Sequence, residues 1–322
     1  VVGVLGAHTS RAKELWGNSP LKSDSKDAEV ICDLAVDGKW VTFSLREGAH
    51  AELKALVVHR EQLVRRQTAL KNQVRALLRV VFPEFQRVMG SRGVFTRSGL
   101  RLLEQFPTPR SYETVDDRQL SVLLRRWSRG RLARDRAQAL LGAADQSVGV
   151  VAGLESRTWV LRRAVRELTS LEGEIRAAEA RMTRALEDIP YAVCMLSMPA
   201  VGVVTAATLL GECGDLDNYP SARELLKFCG LNLVSSSSGQ YQGRNRISKR
   251  GSRLARHQLY LLAGRLARSD RPWRGDYDRL RARGAEKKEA LVALSRKAVR
   301  VLFALARDRA VYGRHVAAAR VA

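Results

Sequence analysis

The chain has 322 residues, with 56 lysines and arginines against 33 aspartates and glutamates, which gives a formal net charge of +23. A compact fold with this charge repels itself unless a polyanion binds it, and nucleic acid is the usual polyanion because each neutralised phosphate releases a counterion. An anionic membrane surface is the competing partner, but the sequence has no run of about 18 apolar residues, which excludes a membrane span.

The first part of the chain predicts a small α/β unit. Val1–Leu5 is typical of a short buried strand, Arg11–Trp16 of a brief helix, and Ser23–Val36 of a helix with an acidic first turn. A turn at Asp37–Gly38 and a short strand at Trp40–Ser44 follow. This β–α–α–β order indicates an incomplete α/β domain.

The middle of the chain predicts two long helices with shorter ones between them. His50–Val81 carries leucine and valine at three- and four-residue spacing, and Pro83 ends that helix. A heptad-like seam marks a later helix of about 30 residues, through Leu161, Val165, Leu168, Leu171, Ile175, Ala178, Met182 and Leu186. The two helices form an antiparallel hairpin or a dimerising coiled coil, and we favour association between chains. A helix packed on its own domain is the alternative.

The last part of the chain predicts a second helical region. Residues 199–230 are apolar, Gly-punctuated and helical, and a flexible Ser–Gly loop follows at Ser235–Gly243. Basic helices then continue, with a break at Asp270–Tyr277. The cysteines lack C-x-x-C spacing, so we expect no zinc site and no disulfides, only free core thiols in a reducing cytosol. They are Cys32, Cys194, Cys213 and Cys229.

The most informative feature is a long span without acids. No aspartate or glutamate lies between Glu224 and Asp270. A solvated surface helix usually mixes both signs of charge, so one sign alone predicts a bound polyanion. A merely soluble basic face is the alternative. The cations of this span are Lys227, Arg244, Arg246, Lys249, Arg250, Arg253, Arg256, Arg265 and Arg268.

A serine-rich segment, residues 235–251, lies inside the acid-free span. Hydroxyl groups followed by guanidinium groups suit phosphoryl transfer, because a serine attacking phosphorus needs cations around the developing charge. From the residues alone, a flexible or phosphate-binding loop is the more ordinary interpretation.

Two further features suggest ligand binding. In Met198–Leu210 a helix, a tight turn at Gly202 and a small-residue helix resemble a helix-hairpin-helix element, which holds phosphate on backbone N–H groups; a close helix-packing turn is the alternative. Asp24 and Asp27 share a helix face, and two such carboxylates can bind Mg²⁺. From spacing alone, an ordinary acidic first turn is favoured.

These pieces, in this order, resemble the IS110 family of transposases, which is similar to the Piv invertases. Lys22–Ala28 resembles the K-x-D-x-x-D-A segment of the family's D-E-D-D set, and Met198–Leu210 its I-P-G-(I/V)-G segment, with Ala200 in place of the usual first glycine. The other matching segments are Pro220–Leu225, Cys229–Leu231, Ser238–Gly239, Gly243 and Ile247–Gly251.

The resemblance implies a fold that is mainly α. It implies a partial RNase H/RuvC-like domain at residues 1–48, a coiled-coil region at 49–190, and a helical serine transposase domain with a helix-hairpin-helix-like element at 191–322. The implied partners are DNA, a noncoding guide RNA and further copies of the chain, as a dimer or tetramer, with no membrane. The implied location is the bacterial cytoplasm, at the nucleoid.

The resemblance also implies site residues. Ser238 would attack a DNA phosphate and form a covalent phosphoserine link, while Asp24 and Asp27 would bind Mg²⁺. The residues implied to contact DNA are Gly202, Gly239, Gly243, Arg244, Arg246, Lys249, Arg250 and Arg253.

The sequence departs from the family at its start. The family's first aspartate and its glutamate are absent, so we expect an N-terminally truncated chain with impaired strand exchange. The alternative is a catalytically dead remnant that only binds DNA or RNA. A purely structural coiled-coil scaffold is disfavoured by the acid-free span.

Overall fold

The computed structural model describes residues 2–4, 6–16, 24–39, 41–42, 46–234, 237–238, 241–242, 246–269 and 271–313. Its first elements are β1 (Val2–Gly3), α1 (Gly6–Trp16), α2 (Asp24–Val36) and β2 (Val41–Thr42). The two strands pair antiparallel, with Val2 opposite Thr42. The predicted β–α–α–β order is confirmed, and its relation to an RNase H-like sheet stays a prediction.

Two helices of 34 residues each form an antiparallel pair within the chain: α3 (Gly48–Val81) and α8 (Leu154–Glu187). Arg60 of α3 lies 2.7 Å from Glu179 of α8. Six residues further along α3, Arg66 lies 3.0 Å from Glu167, so the two helices run in opposite directions.

The predicted heptad-like seam is buried inside this helix pair. Ile175 is half-buried and the other members of the seam are buried. Met182 packs in one hydrophobic cluster with Leu53 and Val57 of α3, and Leu161 packs in another with Leu78. The hairpin alternative therefore accounts for the seam, and the predicted association between chains gains no support from it.

Four short helices connect the long ones: α4 (Pro83–Met89), α5 (Arg97–Gln105), α6 (Asp117–Ser128) and α7 (Arg134–Asp145). Single 3₁₀ turns precede and follow α5. The connecting region has its own core, in which the Phe82 ring lies 5.8 Å from that of Phe85 and 5.7 Å from that of Tyr112. Pro83 occupies the first turn of α4, where its missing N–H costs nothing, so it separates the two helices as predicted.

The C-terminal region is built from helices around one hairpin. The strands are β3 (Leu233–Val234), β4 (Ser237–Ser238), β5 (Tyr241–Gln242) and β6 (Arg246–Ile247). The helices are α9 (Ala192–Leu196), α10 (Val203–Cys213), α11 (Ala222–Phe228), α12 (Arg253–Ser269), α13 (Arg271–Ala282) and α14 (Lys287–Arg307).

One prediction about this region is wrong and a second is confirmed only in part. The expected flexible loop at Ser235–Gly243 contains paired strands, because its ends are held together by neighbouring segments. The expected break at Asp270–Tyr277 is confirmed at its start, since α12 ends at Ser269 and α13 begins at Arg271, but α13 then continues through Tyr277. Pro272 is the second residue of that helix, where proline is tolerated. Helix α13 ends at Ala282, shortly before Gly284 with its φ of +85°.

The helix pair and the C-terminal helices share a core. A Cβ on Gly211 of α10 would lie 2.9 Å from the backbone carbon of Leu53 and 2.9 Å from the backbone nitrogen of Lys54, so only glycine permits this approach. Leu53 belongs to the same cluster as Leu210, Leu259 and other C-terminal side chains. The division of the chain at residue 190 stays a prediction.

The cysteine prediction holds for three of four residues. Cys194, Cys213 and Cys229 are buried free thiols, whereas Cys32 is exposed on α2. Contact with the Cys229 thiol, together with burial, raises the pKa of Cys213, so this thiol stays protonated. In the described parts of the chain no helix is long and apolar enough to cross a bilayer.

Protonation of His50 is expected to destabilise the fold. Its Nε2 lies 3.3 Å from the hydroxyl of Tyr191, which donates a hydrogen bond to Asp215 and accepts one from the Leu216 amide. Burial, with a smaller contribution from Arg46, lowers the pKa of His50, although Asp215 opposes the shift. The unfolded chain therefore binds the proton more readily, and the free energy of unfolding decreases as pH falls through 6.5.

Urea unfolding of the parent protein and of His50→Gln between pH 8 and pH 5.5 tests this prediction. We expect a smaller loss of stability with falling pH in His50→Gln. Equal losses in both proteins would show that other groups carry the pH dependence.

Candidate active site

The hairpin places Ser238 near its tip. Leu233 pairs with Ile247 close to the base, and Ser238 pairs with Tyr241 at the far end. The structure describes the backbone of Ser238 but not its side chain. The other predicted residues of the tip, Gly239, Gly243 and Arg244, lie outside the described residues.

The base of the hairpin is fixed by backbone hydrogen bonds. The Ser248 amide donates to the Asn232 carbonyl at 2.9 Å, and the Lys249 amide donates to Gly230 at 3.1 Å. The Ser248 hydroxyl also donates to the side-chain oxygen of Asn232. Both arms are therefore held where they leave the helical core, which orients the tip.

Two glycines make this close contact possible. Gly251 has a φ of +126°, and a Cβ there would overlap the carbonyl oxygen of Phe228. Gly230 has a φ of +65°, and a Cβ there would lie 2.7 Å from the Arg250 carbonyl oxygen. The glycine that ends the Ile247–Gly251 segment is thus required by the turn itself.

A buried carboxylate anchors the segment that follows the hairpin. Glu212 of α10 is 6% exposed, and its Oε1 lies 2.6 Å from the ammonium of Lys54 on α3. Its Oε2 accepts a hydrogen bond from the Ser252 hydroxyl at 2.7 Å. Ser252 also caps α12, since its Oγ accepts from the Ala255 amide at 3.1 Å. One acid therefore connects α3, α10 and the start of α12.

The described cations of the hairpin are not neutralised by the protein. Arg246, Lys249, Arg250 and Arg253 are all exposed. None of them has an ion pair within the part of the chain that the structure describes. This set carries four formal positive charges beside the strand pair that holds Ser238.

A cavity of about 530 Å³ beside β3 adds further cations. Arg223 and Lys227 of α11 and Arg296 and Arg300 of α14 line it, and Glu224 is its single acid among the lining residues. The Nε of Arg296 is buried without a hydrogen-bond partner in the described structure. Burial, and then Arg300, lower the pKa of Arg296, yet a guanidinium remains charged. An anion in this cavity would satisfy it.

The start of α10 is open. Gly202 caps it in an extended conformation, with φ −110°, and a Cβ there would meet nothing within 4 Å. Neither backbone strain nor close packing therefore requires a glycine at position 202, so the alternative of a close helix-packing turn gains no support there. The close packing of α10 lies at its other end, where Gly211 contacts α3. No side chain caps the first turn of α10. The predicted order of one helix, a turn at Gly202 and a second helix is confirmed, and phosphate binding at this turn stays a prediction.

Ala200 adopts a φ of +63°, at the position where the family that this sequence resembles usually has glycine. A Cβ is strained in this left-handed region, so we expect Ala200→Gly to raise the free energy of unfolding by about 0.5–1 kcal/mol. Ala177, exposed on α8, is the matched control, because glycine in a helix interior costs about 1 kcal/mol. Urea unfolding should give shifts of opposite sign, and a loss of stability in both variants would contradict the strain.

The predicted metal ligands, Asp24 and Asp27, lie on one helix without a third ligand among the described residues. Asp24 is exposed in the first turn of α2, and Asp27 is ion-paired with Lys13 of α1. In the described segments no group of three or more His, Cys, Asp or Glu side chains is arranged so that it could hold a metal ion. Mg²⁺ usually keeps several waters and is held through one or two carboxylates together with substrate phosphates, so magnesium binding by Asp24 and Asp27 stays a prediction. We therefore derive no chemical step through a metal.

Comparison with known proteins matches both ends of the chain to transposases. Residues 192–278 match a family model described as the transposase IS116/IS110/IS902 family, and residues 1–83 match a second model described as a transposase, of the IS110 DEDD group. The 43.6 kDa protein of insertion element IS110 from Streptomyces coelicolor is 33% identical over 293 residues, which is 90% of this chain and 72% of that protein.

Two other relatives extend the similarity. The 42 kDa protein of insertion element IS900 from Mycobacterium paratuberculosis is 30% identical over 295 residues, 90% of this chain and 73% of that protein. The transposase of insertion sequence IS1111A from Coxiella burnetii is 24% identical over 238 residues, 74% of this chain and 53% of that protein.

Proposed function

The chain belongs to the IS110 family of insertion-sequence transposases, which are DNA-recombining enzymes, and on that premise we propose that Ser238 is its nucleophile. In this proposal the Ser238 oxygen attacks a phosphodiester of DNA. A bond from that oxygen to phosphorus forms while the bond from phosphorus to one deoxyribose oxygen breaks. The serine proton passes to solvent, and the released strand takes up a proton at its new hydroxyl group.

The products of this step are a phosphoserine ester and a free DNA end. One phosphoester bond is exchanged for another, so the exchange needs no external energy source, and attack by a second DNA hydroxyl on the phosphoserine reverses it. A joined strand then results without loss of a nucleotide. This is the chemistry by which a recombinase exchanges strands.

The observation that carries the proposal is the set of uncompensated cations around the hairpin. Arg246, Lys249, Arg250 and Arg253 bind phosphates on either side of the attacked bond, and Arg296 and Arg300 bind one more in the cavity beside β3. Guanidinium groups suit this role because they remain charged and can donate two hydrogen bonds to one phosphate. Gly202, Gly239, Gly243 and Arg244 keep the DNA-contacting roles that the family resemblance implies.

The remaining parts of the proposal depend on the family alone. Asp24 and Asp27 would be two of the ligands of a magnesium site. A guide RNA and further copies of the chain would complete the complex, which acts on DNA at the nucleoid.

A second candidate function is binding of DNA or RNA without catalysis. It is favoured by one observation: Asp24 and Asp27 have no third acidic partner in the described structure. Adduct formation separates the two candidates, because both predict binding that weakens steeply with salt.

The test uses the purified protein, Mg²⁺, a radiolabelled duplex carrying the DNA that flanks the gene, and RNA transcribed from the same flanks. We expect label to remain on the protein after boiling in detergent and to disappear after protease treatment. Retained binding without a covalent adduct would establish the binding-only function. Absence of both binding and adduct would contradict both candidates.

A further inference from the structure

A second basic groove lies on the helical region and shares no lining residue with the cavity beside β3. Its volume is about 1380 Å³, and it lies between the first half of α8, the segment Pro107–Ser111 and Arg66 of α3. Pockets for small molecules usually measure about 300–1000 Å³. The groove therefore fits an extended ligand better than a compact one.

One wall of the groove is a single face of α8. Arg162, Arg163 and Arg166 lie three, four and seven residues after Trp159, which places all four side chains on the same side of the helix. Trp159 is 66% exposed and contacts no other aromatic ring among the described residues. A large exposed ring beside guanidinium groups is a platform on which a flat ligand can stack.

The charges of the groove are only partly neutralised. Arg66 pairs with Glu167 at 3.0 Å, and Arg166 lies 3.5 Å from Glu104. Arg110, on the wall opposite α8, and Arg163 are exposed and have no ion pair in the described part of the chain. Five arginines and three glutamates line the groove, and the two exposed arginines without an ion pair are Arg163, four residues after Trp159 on α8, and Arg110 in the segment 107–111.

We propose that this groove binds an unpaired strand of DNA, with one base stacked on Trp159 and neighbouring phosphates on Arg110 and Arg163. A base in a duplex keeps its faces covered by its neighbours, so only an unpaired base can stack on the indole. A protein partner would need carboxylates opposite both Arg110 and Arg163, whereas every nucleotide of a strand supplies a flat ring and a phosphate together. The choice of DNA over RNA rests on the proposed function, whereas the groove itself does not involve Ser238.

The first test measures binding of a fluorescent twelve-nucleotide oligo-dT to the full chain by anisotropy, with a duplex of equal length and an oligo-U RNA as comparisons. Trp159→Ala should weaken oligo-dT binding about tenfold, because one stacked base is lost. Trp159→Phe keeps a ring and should bind within about twofold of the parent protein. The duplex should bind equally to all three proteins.

The second test separates Arg163 from a matched cation on the same helix. Arg181 is exposed and lies on the same face of α8, five turns further along, at a distance of about 27 Å. Arg163→Ala should reduce the slope of log affinity against log salt by about 0.7, the value for one phosphate of a single strand. Arg181→Ala should leave that slope unchanged.

Three results would overturn the proposal. The first is that Trp159→Ala binds oligo-dT as tightly as the parent protein does. The second is that it loses affinity for the duplex and for the single strand equally. The third is that it loses affinity only for oligo-U, which would make the ligand RNA. Circular dichroism of each variant confirms folding, and the exposed positions make unfolding an unexpected outcome. Ser238→Ala, tested in parallel, should bind oligo-dT normally, so failure of the nucleophile and failure of the groove give different results.

Discussion

Replacement of Ser238 by alanine is expected to reduce formation of the covalent protein–DNA adduct by more than about 1000-fold, because removal of a catalytic nucleophile has effects of this size. Alanine has no oxygen with which to form the phosphoester. The cations at the base of the hairpin are unchanged in this variant, so DNA affinity should stay within about twofold, as for a substitution away from the phosphate contacts.

The matched control is Ser236→Ala, which removes a hydroxyl from the same serine run two positions earlier. It should form the adduct at nearly the parent rate. Equal loss in both variants would assign the effect to the serine run as a whole. An undiminished adduct in Ser238→Ala would remove Ser238 from the chemistry.

Glu212→Ala is expected to lower the free energy of unfolding by about 2–3 kcal/mol, less than for a fully buried ion pair because the Lys54 side chain is 35% exposed. The substitution leaves Lys54 without its carboxylate partner and removes the acceptor of the Ser252 hydroxyl. A change of 3 kcal/mol corresponds to a decrease in melting temperature of roughly 6–12 °C for a chain of this size class.

Glu52→Ala is the matched control, because Glu52 is an exposed acid on α3 and its loss should change stability by less than about 0.5 kcal/mol. Glu212→Gln keeps a side-chain oxygen for Ser252 and should be intermediate. If Glu212→Ala melted at the same temperature as Glu52→Ala, the carboxylate would not be the anchor that connects α3, α10 and α12.

Elements with strong local signals could be predicted from the sequence. The three- and four-residue spacing of apolar side chains determined α3 and α8, and Pro83 marked the end of α3 because its effect on the backbone is local. The pairing of the two helices was left open, since a heptad-like seam is the same whether its partner is in the same chain or in another.

Elements that depend on tertiary contacts could not be predicted. The Ser–Gly content of Ser235–Gly243 is typical of a loop, yet hydrogen bonds from residues 248–252 to the end of α11 hold its two arms together. The break predicted at Asp270–Tyr277 extended too far, because α13 begins at Arg271 and packs on α12 and α14, and Pro272 is compatible with the first turn of a helix. In both cases the deciding information lies outside the local segment.

In the candidate site, too, features with a local sequence signal could be predicted and features that depend on tertiary contacts could not. The acid-free span indicated cations without acidic partners, and Arg246, Lys249, Arg250 and Arg253 have no ion pair among the described residues, while their contact with a polyanion stays a prediction. Glu212 was missed, although one acid inside the apolar helix α10 is an unusual position that signals a buried partner. Arg296 and Arg300 were missed because they lie far from the hairpin in sequence; their four-residue spacing on an apolar helix was the available signal.

The most direct test of Ser238 as nucleophile is to locate the covalent link by mass spectrometry. After nuclease and trypsin digestion of the adduct, the peptide Phe228–Arg244 contains the whole serine run and Tyr241. Fragmentation of that peptide should place the phosphorylated nucleotide remnant on Ser238. A remnant on another serine, on Tyr241 or on a different peptide would contradict the assignment of the nucleophile.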